Sequence, residues 1–128
     1  MEIICLDSTV VIDFYRKKQK RKSFLFKLSS SYQFYISAIV KYEIYRGDKE
    51  KDVFWINFFK NVRILPFDNE CSIIAAKIYK DLKSKNQLIS PDDILIAATA
   101  LKNDFKLATI NKKDFERIKG LKLITPKS

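Results

Sequence analysis

Five short apolar runs alternate with segments of helical periodicity along the whole chain, and that alternation constrains the fold more than any other property of the sequence. The runs lie at residues 2–6, 33–36, 62–65, 106–110 and 121–124. Between them the spacing predicts helices over 8–15, 23–29, a segment capped by Ser37 and ended by Gly47, 52–61, 69–85, a segment from Ser90 to about Asn103, and 111–118. Ser8 and Thr9 offer the cap of the first helix, and Pro66 separates the third strand from the long helix that carries Ile74, Ile78 and Leu82 on one stripe. Short buried strands alternating with helices imply an α/β domain with a parallel sheet covered on both faces. In such domains sites form outside the carboxyl ends of the strands, which is where Asp7 and Asn111 fall.

The 128 residues, 47% of them hydrophobic, suit one domain over residues 1–128 with a core that needs no covalent staple. Cys5 and Cys71 lie inside apolar stretches without C-x-x-C spacing and read as small buried hydrophobes in a reducing compartment. Asp7 and Asp13 interrupt the apolar start, and no basic segment precedes it, so neither a signal peptide nor a membrane span is expected. The expected location is the cytoplasm.

A formal charge of +10 comes from 25 basic and 15 acidic residues. Most of the cations are lysines in a chain also rich in Ile, Phe and Asn, a bias that an AT-rich genome produces unaided. Clustering is more telling. Arg16, Lys17, Lys18, Lys20, Arg21 and Lys22 occupy a seven-residue stretch directly after the first helix. That run fits a solvated helix end, and beside a phosphodiesterase site it fits a nucleic-acid backbone groove.

Against this basic background, Asp7, Glu43, Asp93 and the Asn111/Asp114 pair each fall where an apolar stretch meets a helix. Separated carboxylates in a basic chain suit a divalent cation facing a phosphodiester. The absence of histidine excludes imidazole-pair ribonuclease chemistry, Ser-His-Asp and Cys-His hydrolysis and histidine-rich zinc sites. Helix capping accounts for several of the acids taken singly: Asp7 can cap the first helix, Asp93 holds the reciprocal position of a capping box begun by Ser90, and Asn111 and Asp114 repeat that spacing. Glu43 is harder to explain so. It lies on or beside the apolar stripe made by Val40 and Ile44, where its structural alternative is an ion pair with Arg46.

Taken together, these fragments resemble the PIN-domain endoribonucleases, most closely the VapC toxins of toxin-antitoxin pairs, over essentially the whole chain. The resemblance is carried by LDSTVVIDF at Asp7, ISAIVKYEIYRG at Glu43, ISPDDILIAATAL at Asp93 and LATINKKDF at Asn111 and Asp114. It implies a three-layer α/β/α domain with a central parallel sheet. It also implies a pocket in which Asp7, Glu43, Asp93, Asn111 and Asp114 bind Mg²⁺ or Mn²⁺, with Ser8 or Thr9 supporting Asp7 by hydrogen bonding. Hard divalent cations take carboxylate and water oxygens, which suits the same residues on chemical grounds. The activity implied is metal-dependent RNA cleavage by an activated water, leaving a 5′-phosphate and a 3′-hydroxyl.

Two positions depart from the family's usual pattern: Thr9 stands where an asparagine is common, and Asn111 where an aspartate often stands. Asp13 reads as a solvated or structural residue. The aromatic segment from Phe54 to Phe59 reads as core, with an interface as the other reading. The resemblance further implies a homodimer and a VapB-like antitoxin partner. The rival reading is a catalytically silent PIN-like module that binds antitoxin or nucleic acid. A phosphatase of the D-x-D type is excluded by Thr9, and a receiver domain lacks its paired acids beside the first strand.

Overall fold

A computed structural model of the chain describes residues 1–48 and 52–127. Five strands, β1 (Glu2–Leu6), β2 (Tyr32–Ser37), β3 (Arg63–Leu65), β4 (Lys106–Ala108) and β5 (Leu123–Ile124), form one sheet in the order β3-β2-β1-β4-β5. Every pairing is parallel. The described residues also form seven α-helices: α1 (Ser8–Arg16), α2 (Phe24–Leu28), α3 (Ala38–Gly47), α4 (Val53–Lys60), α5 (Asn69–Ser84), α6 (Pro91–Lys102) and α7 (Lys112–Phe115). A short 3-10 turn, Lys20–Lys22, links α1 to α2. The α/β architecture expected from the alternating pattern is the one observed.

Parallel neighbours require crossover connections, and the strand order says where these reverse. The chain steps outward from β1 to β3, then crosses back to β4 on the far side of β1. Right-handed crossovers therefore place the helices before and after β3 on opposite faces of the sheet. The reversal falls between β1 and β4, and the crevice above their carboxyl ends is the topological switch point at which ligands bind in open α/β sheets.

The central strands carry the core. Ile4, Leu6, Ile36, Leu107 and Ala108 are fully buried, and α6 packs Ile96, Ala97, Ala98 and Ala100 against them. A strand buried on both faces cannot alternate polar and apolar residues, which is why β1 reads as a continuous apolar run. On α4, Trp55 and Phe59 are buried and Phe54 and Phe58 are half-buried, whereas Val53 and Ile56 are exposed. The aromatic helix is thus core on one side only. Tyr15 of α1 stacks on Trp55, with ring centroids 4.7 Å apart. Cys5 and Cys71 are free and buried, as the sequence predicts.

Ser23, Ser37 and Ser90 cap α2, α3 and α6 by accepting from the backbone N–H three residues on. Three local expectations are revised. The cap of α1 is Asp7 rather than Ser8 or Thr9. The predicted strand 106–110 stops at Ala108, since the next residues turn their polar groups towards Asp7 and Thr9. The predicted helix 111–118 starts as expected but ends at Phe115, after which Arg117 N and Ile118 N bond three residues back, to the carbonyls of Asp114 and Phe115, as turns. α3 ends at Gly47 as expected, without a left-handed residue there; among described residues positive φ occurs at Asn86, Asp104 and Gly120.

Candidate active site

Parallel register builds the floor of the site. Leu6 pairs with Ala108, so the residues that leave β1 and β4, Asp7 and Thr109, emerge side by side. Asp7 is 1% exposed and Thr109 fully buried. A buried carboxylate must be satisfied by donors, and Asp7 is. Its Oδ2 accepts from Thr9 Oγ1 and from Thr109 Oγ1, both at 2.7 Å, and its Oδ1 accepts from Ser8 N at 2.8 Å. Each threonine is fixed in turn. Thr9 Oγ1 accepts from Ile110 N at 3.1 Å, and Thr109 Oγ1 accepts from Asn111 N at 2.9 Å. The capping role expected of Asp7 and its place in the site therefore coexist, and Thr9 supplies a donor to Asp7 although it lacks the amide of asparagine.

Around this floor, helices deliver the other acids. Glu43 is half-buried on α3, and its Oε1 is sequestered from water with no hydrogen-bond partner among the described residues. Burial pushes the Glu43 carboxyl up to about 7, against the Ser8 hydroxyl, with the charges of Asp92, Asp7 and Asp93 adding to the rise. Asp93 on α6 is pushed up to about 6, first by burial and then by Asp7, with Ser90 opposing and Asp114 and Asp92 adding. Asp7, Glu43, Asp93 and Asp114 thus share one electrostatic site although they come from four stretches of sequence. Asn111 joins them by donating from Nδ2 to Asp114 Oδ2 at 3.1 Å.

Asp92 and Asp93, adjacent in sequence, have different surroundings. Asp92 pairs with Arg46 at 3.5 Å, whereas Asp93 faces the charges of Asp7 and Asp114. The ion pair with Arg46, the structural alternative for Glu43, is not the one formed. Glu43 also lines a small cleft of about 200 Å³ with Ile12, Tyr15, Arg16 and Trp55.

Among the described residues no three acidic or cysteine side chains close into a ready-made ligand cluster. The donor set nevertheless fits a hard divalent cation. An orphaned buried carboxylate oxygen and two carboxyls raised by burial and mutual repulsion are the state that a cation relieves, and Mg²⁺ commonly keeps several waters while few side chains bind it.

The basic run divides. Arg16 and Lys17 line a groove beside Thr9 and Ile110, and Lys22 faces an adjoining one. Lys20 instead donates from Nζ to the carbonyls of Phe14 and Tyr15, closing the end of α1. Lys18 and Arg21 are exposed. Asp13 is structural: it accepts from Phe24 N at 3.2 Å and pairs with Lys17 at 3.6 Å. Sequence reasoning missed Thr109 altogether. Its only local signal is a hydroxyl residue just beyond an apolar run.

The PIN domain family profile matches residues 4–121. Ribonuclease VapC1 of Methanocaldococcus jannaschii is 38% identical over 94% of this chain and 85% of its own length. Ribonuclease VapC1 of Rickettsia felis is 34% identical over 98% of this chain and 97% of its own. A chain in the crystal structure of VapBC2 from Rickettsia felis bound to a DNA fragment from their promoter superposes with a TM-score of 0.83 at 25% identity, covering 98% of this chain and 99% of that one. The chain belongs to the PIN domain family and, within it, to the VapC group.

Proposed function

We propose that this protein is a divalent-metal-dependent endoribonuclease, the toxin of a VapBC-type pair. The observation that carries the reading is the meeting of Asp7, Glu43, Asp93 and Asp114 at the switch point of a basic protein, with two of the acids raised by burial and by neighbouring carboxylates. The relatives named ribonuclease VapC support the hydrolase class.

Asp7, Glu43 and Asp93 would hold Mg²⁺ or Mn²⁺, directly or through water, with Asn111 and Asp114 completing the ring. A cation there supplies charge neutralisation at the scissile phosphate and a more acidic attacking water. The chain's own residues do the positioning. Thr9, Thr109 and Ser8 N fix both oxygens of Asp7. Asn111 holds Asp114 through its amide. Glu43, whose carboxyl burial raises in the metal-free protein, would be stabilised in its ionised form by the cation it helps to hold.

A VapB-like antitoxin is the proposed partner, since the solved relatives are VapBC assemblies. A homodimer is proposed with it, for which the exposed Val53 and Ile56 on the outer side of α4 offer apolar surface. The second reading, a silent PIN-like module, draws on Asn111 in place of an acid and on the absence of a closed ligand cluster among the described residues.

Expression in a bacterial host separates the two. The active toxin arrests growth, the arrest is relieved by co-expressing the product of the neighbouring upstream gene, and Asp7→Asn abolishes it without loss of soluble protein. Unimpeded growth with abundant folded wild-type protein favours the silent module, and failure of the two gene products to co-purify removes the antitoxin assignment.

A further inference from the structure

Two open grooves meet beside the acidic site. One, of about 490 Å³, is bounded by Thr9, Ile12, Arg16 and Ile110. The other, of about 520 Å³, runs from Ile110 past Phe24 and Leu28 to the end of β5 at Ile124. Asp13, Lys17 and Ile110 line both, so they form one continuous trough along the carboxyl edge of the sheet. Its outer wall carries Lys17, Lys22, Lys27 and Lys127, cations drawn from three separate parts of the sequence. The one carboxylate, Asp13, is engaged by Lys17 and by the Phe24 N–H. Among the described residues Lys22, Lys27 and Lys127 have no carboxylate within ion-pairing distance. The floor is apolar, with Ile110 43% exposed.

We propose that this trough is the track for single-stranded RNA leaving the cleavage site, with Lys22, Lys27 and Lys127 on successive phosphates and Phe24 and Ile110 under the bases. The inference rests on the ribonuclease reading for the identity of its ligand. Charge supplies the first argument: three lysines without acidic partners lining one groove suit a polyanion. Continuity supplies the second. Ile110 N donates to Thr9 Oγ1, which donates to Asp7, so the inner end of the trough is built from the same hydrogen bonds that fix the acidic floor. The apolar floor supplies the third, because unpaired bases need surfaces to cover and a duplex presents none. The proposal also sorts the basic run, since Lys20 is committed to the end of α1 and Lys18 and Arg21 line neither groove.

The test compares two charge reversals of equal size in the full chain: Lys22→Glu/Lys27→Glu/Lys127→Glu in the trough, and Lys77→Glu/Lys80→Glu/Lys83→Glu on the exposed face of α5. Binding of a fluorescent single-stranded RNA is followed in EDTA, so that no cleavage intervenes, across a range of salt. The trough variant should bind about tenfold or more weakly at 0.1 M salt and flatten the slope of log K against log salt by about 2, near 0.7 for each phosphate that is no longer neutralised. The α5 variant should change far less. Equal losses in both variants would mean bulk charge alone and would overturn the track, as would unchanged binding by the trough variant or no RNA binding by the wild type. So would a trough variant that keeps RNA and loses an oligoglutamate peptide, which would make the groove a peptide site. Photocrosslinking of 4-thiouridine RNA to the wild type gives a check independent of the folding of any variant: attachment belongs within residues 22–28, at Ile110 or within 124–127, and attachment confined to α5 contradicts the proposal. Binding through the trough without cleavage under any metal would refute the ribonuclease reading and leave the track standing.

Discussion

Thr109 Oγ1 donates to Asp7 Oδ2 at 2.7 Å, joining residues 102 positions apart at the point where β4 and β1 release the chain. The same oxygen accepts from Asn111 N, so one hydroxyl fixes a buried carboxylate and the loop that carries Asn111. Thr109→Val keeps the shape, removes the donor and leaves the Asn111 N–H without its acceptor. A hydrogen bond to a charged group contributes about 1.5 to 3 kcal/mol, and the variant should lose stability of that order in urea unfolding. Thr109→Ser should recover most of it. A Thr109→Val protein as stable as wild type would show that water replaces the hydroxyl.

Glu43 and Asp93 set an unusual pH dependence. Their folded values, about 7 and about 6, lie above the ordinary 4.5 and 3.8, so in that interval the folded protein binds more protons than the unfolded one. Stability then falls as pH rises. The metal-free protein should be most stable near the ordinary carboxylate range and lose stability up to about pH 7. Glu43→Gln removes the ionising group and should raise the melting temperature in EDTA at about pH 7.5, with little effect at about pH 4.5. Thermal melts at the two pH values check this, and a Gln variant less stable at the higher pH would refute it.

Metal should act in the opposite direction. A cation that binds only the folded state stabilises it by mass action, about 2.7 kcal/mol at roughly one hundred times the dissociation constant. Because it requires ionised carboxylates, the rise in melting temperature with Mg²⁺ or Mn²⁺ should be larger at about pH 7.5 than at about pH 5.5, and smaller in Asp93→Asn. Equal shifts at both pH values, or in the variant, would point to binding elsewhere.

Asp68, far from Asp7 and Glu43 in sequence, has the reverse sign. The backbone N–H of Cys71 and then Lys102 hold its carboxyl down at about 2, and it caps α5. Its contribution is present above the ordinary value of 3.8 and disappears as pH falls through about 2. Asp68→Asn should therefore lower the melting temperature at about pH 7 and bring the two proteins together in strong acid. A difference as large in strong acid as at about pH 7 would mean that the loss is not electrostatic.

The strands and most helix starts were legible in the sequence because local chemistry dictates them. Ser23, Ser37 and Ser90 stand directly before helices and cap them, and β1 is apolar because both its faces are covered. The acids Asp7, Glu43 and Asp93 were legible as well, two of them under the guise of caps. Thr109 was not, since its meaning depends on the pairing of Leu6 with Ala108, which no local pattern states. Helical spacing offered Arg46 to Glu43 as its structural alternative, yet Arg46 pairs with Asp92 across two helices. The basic run looked uniform as a string, and only the fold separates Lys22, in the trough, from Lys20, held by two backbone carbonyls.

Whether the gathered acids cut RNA with a divalent cation is decided by single-turnover cleavage of a mixed single-stranded RNA. Purified protein is assayed with Mg²⁺ or Mn²⁺, with EDTA, and as folded Asp7→Asn, Glu43→Gln and Asp93→Asn. Cutting should need the cation, stop with chelator and fall at least about a hundredfold in each variant, a loss of about 2.7 kcal/mol of transition-state stabilisation. Cutting that persists in EDTA or in all three variants, or a folded wild type that binds RNA tightly and never cuts it, would rule this chemistry out.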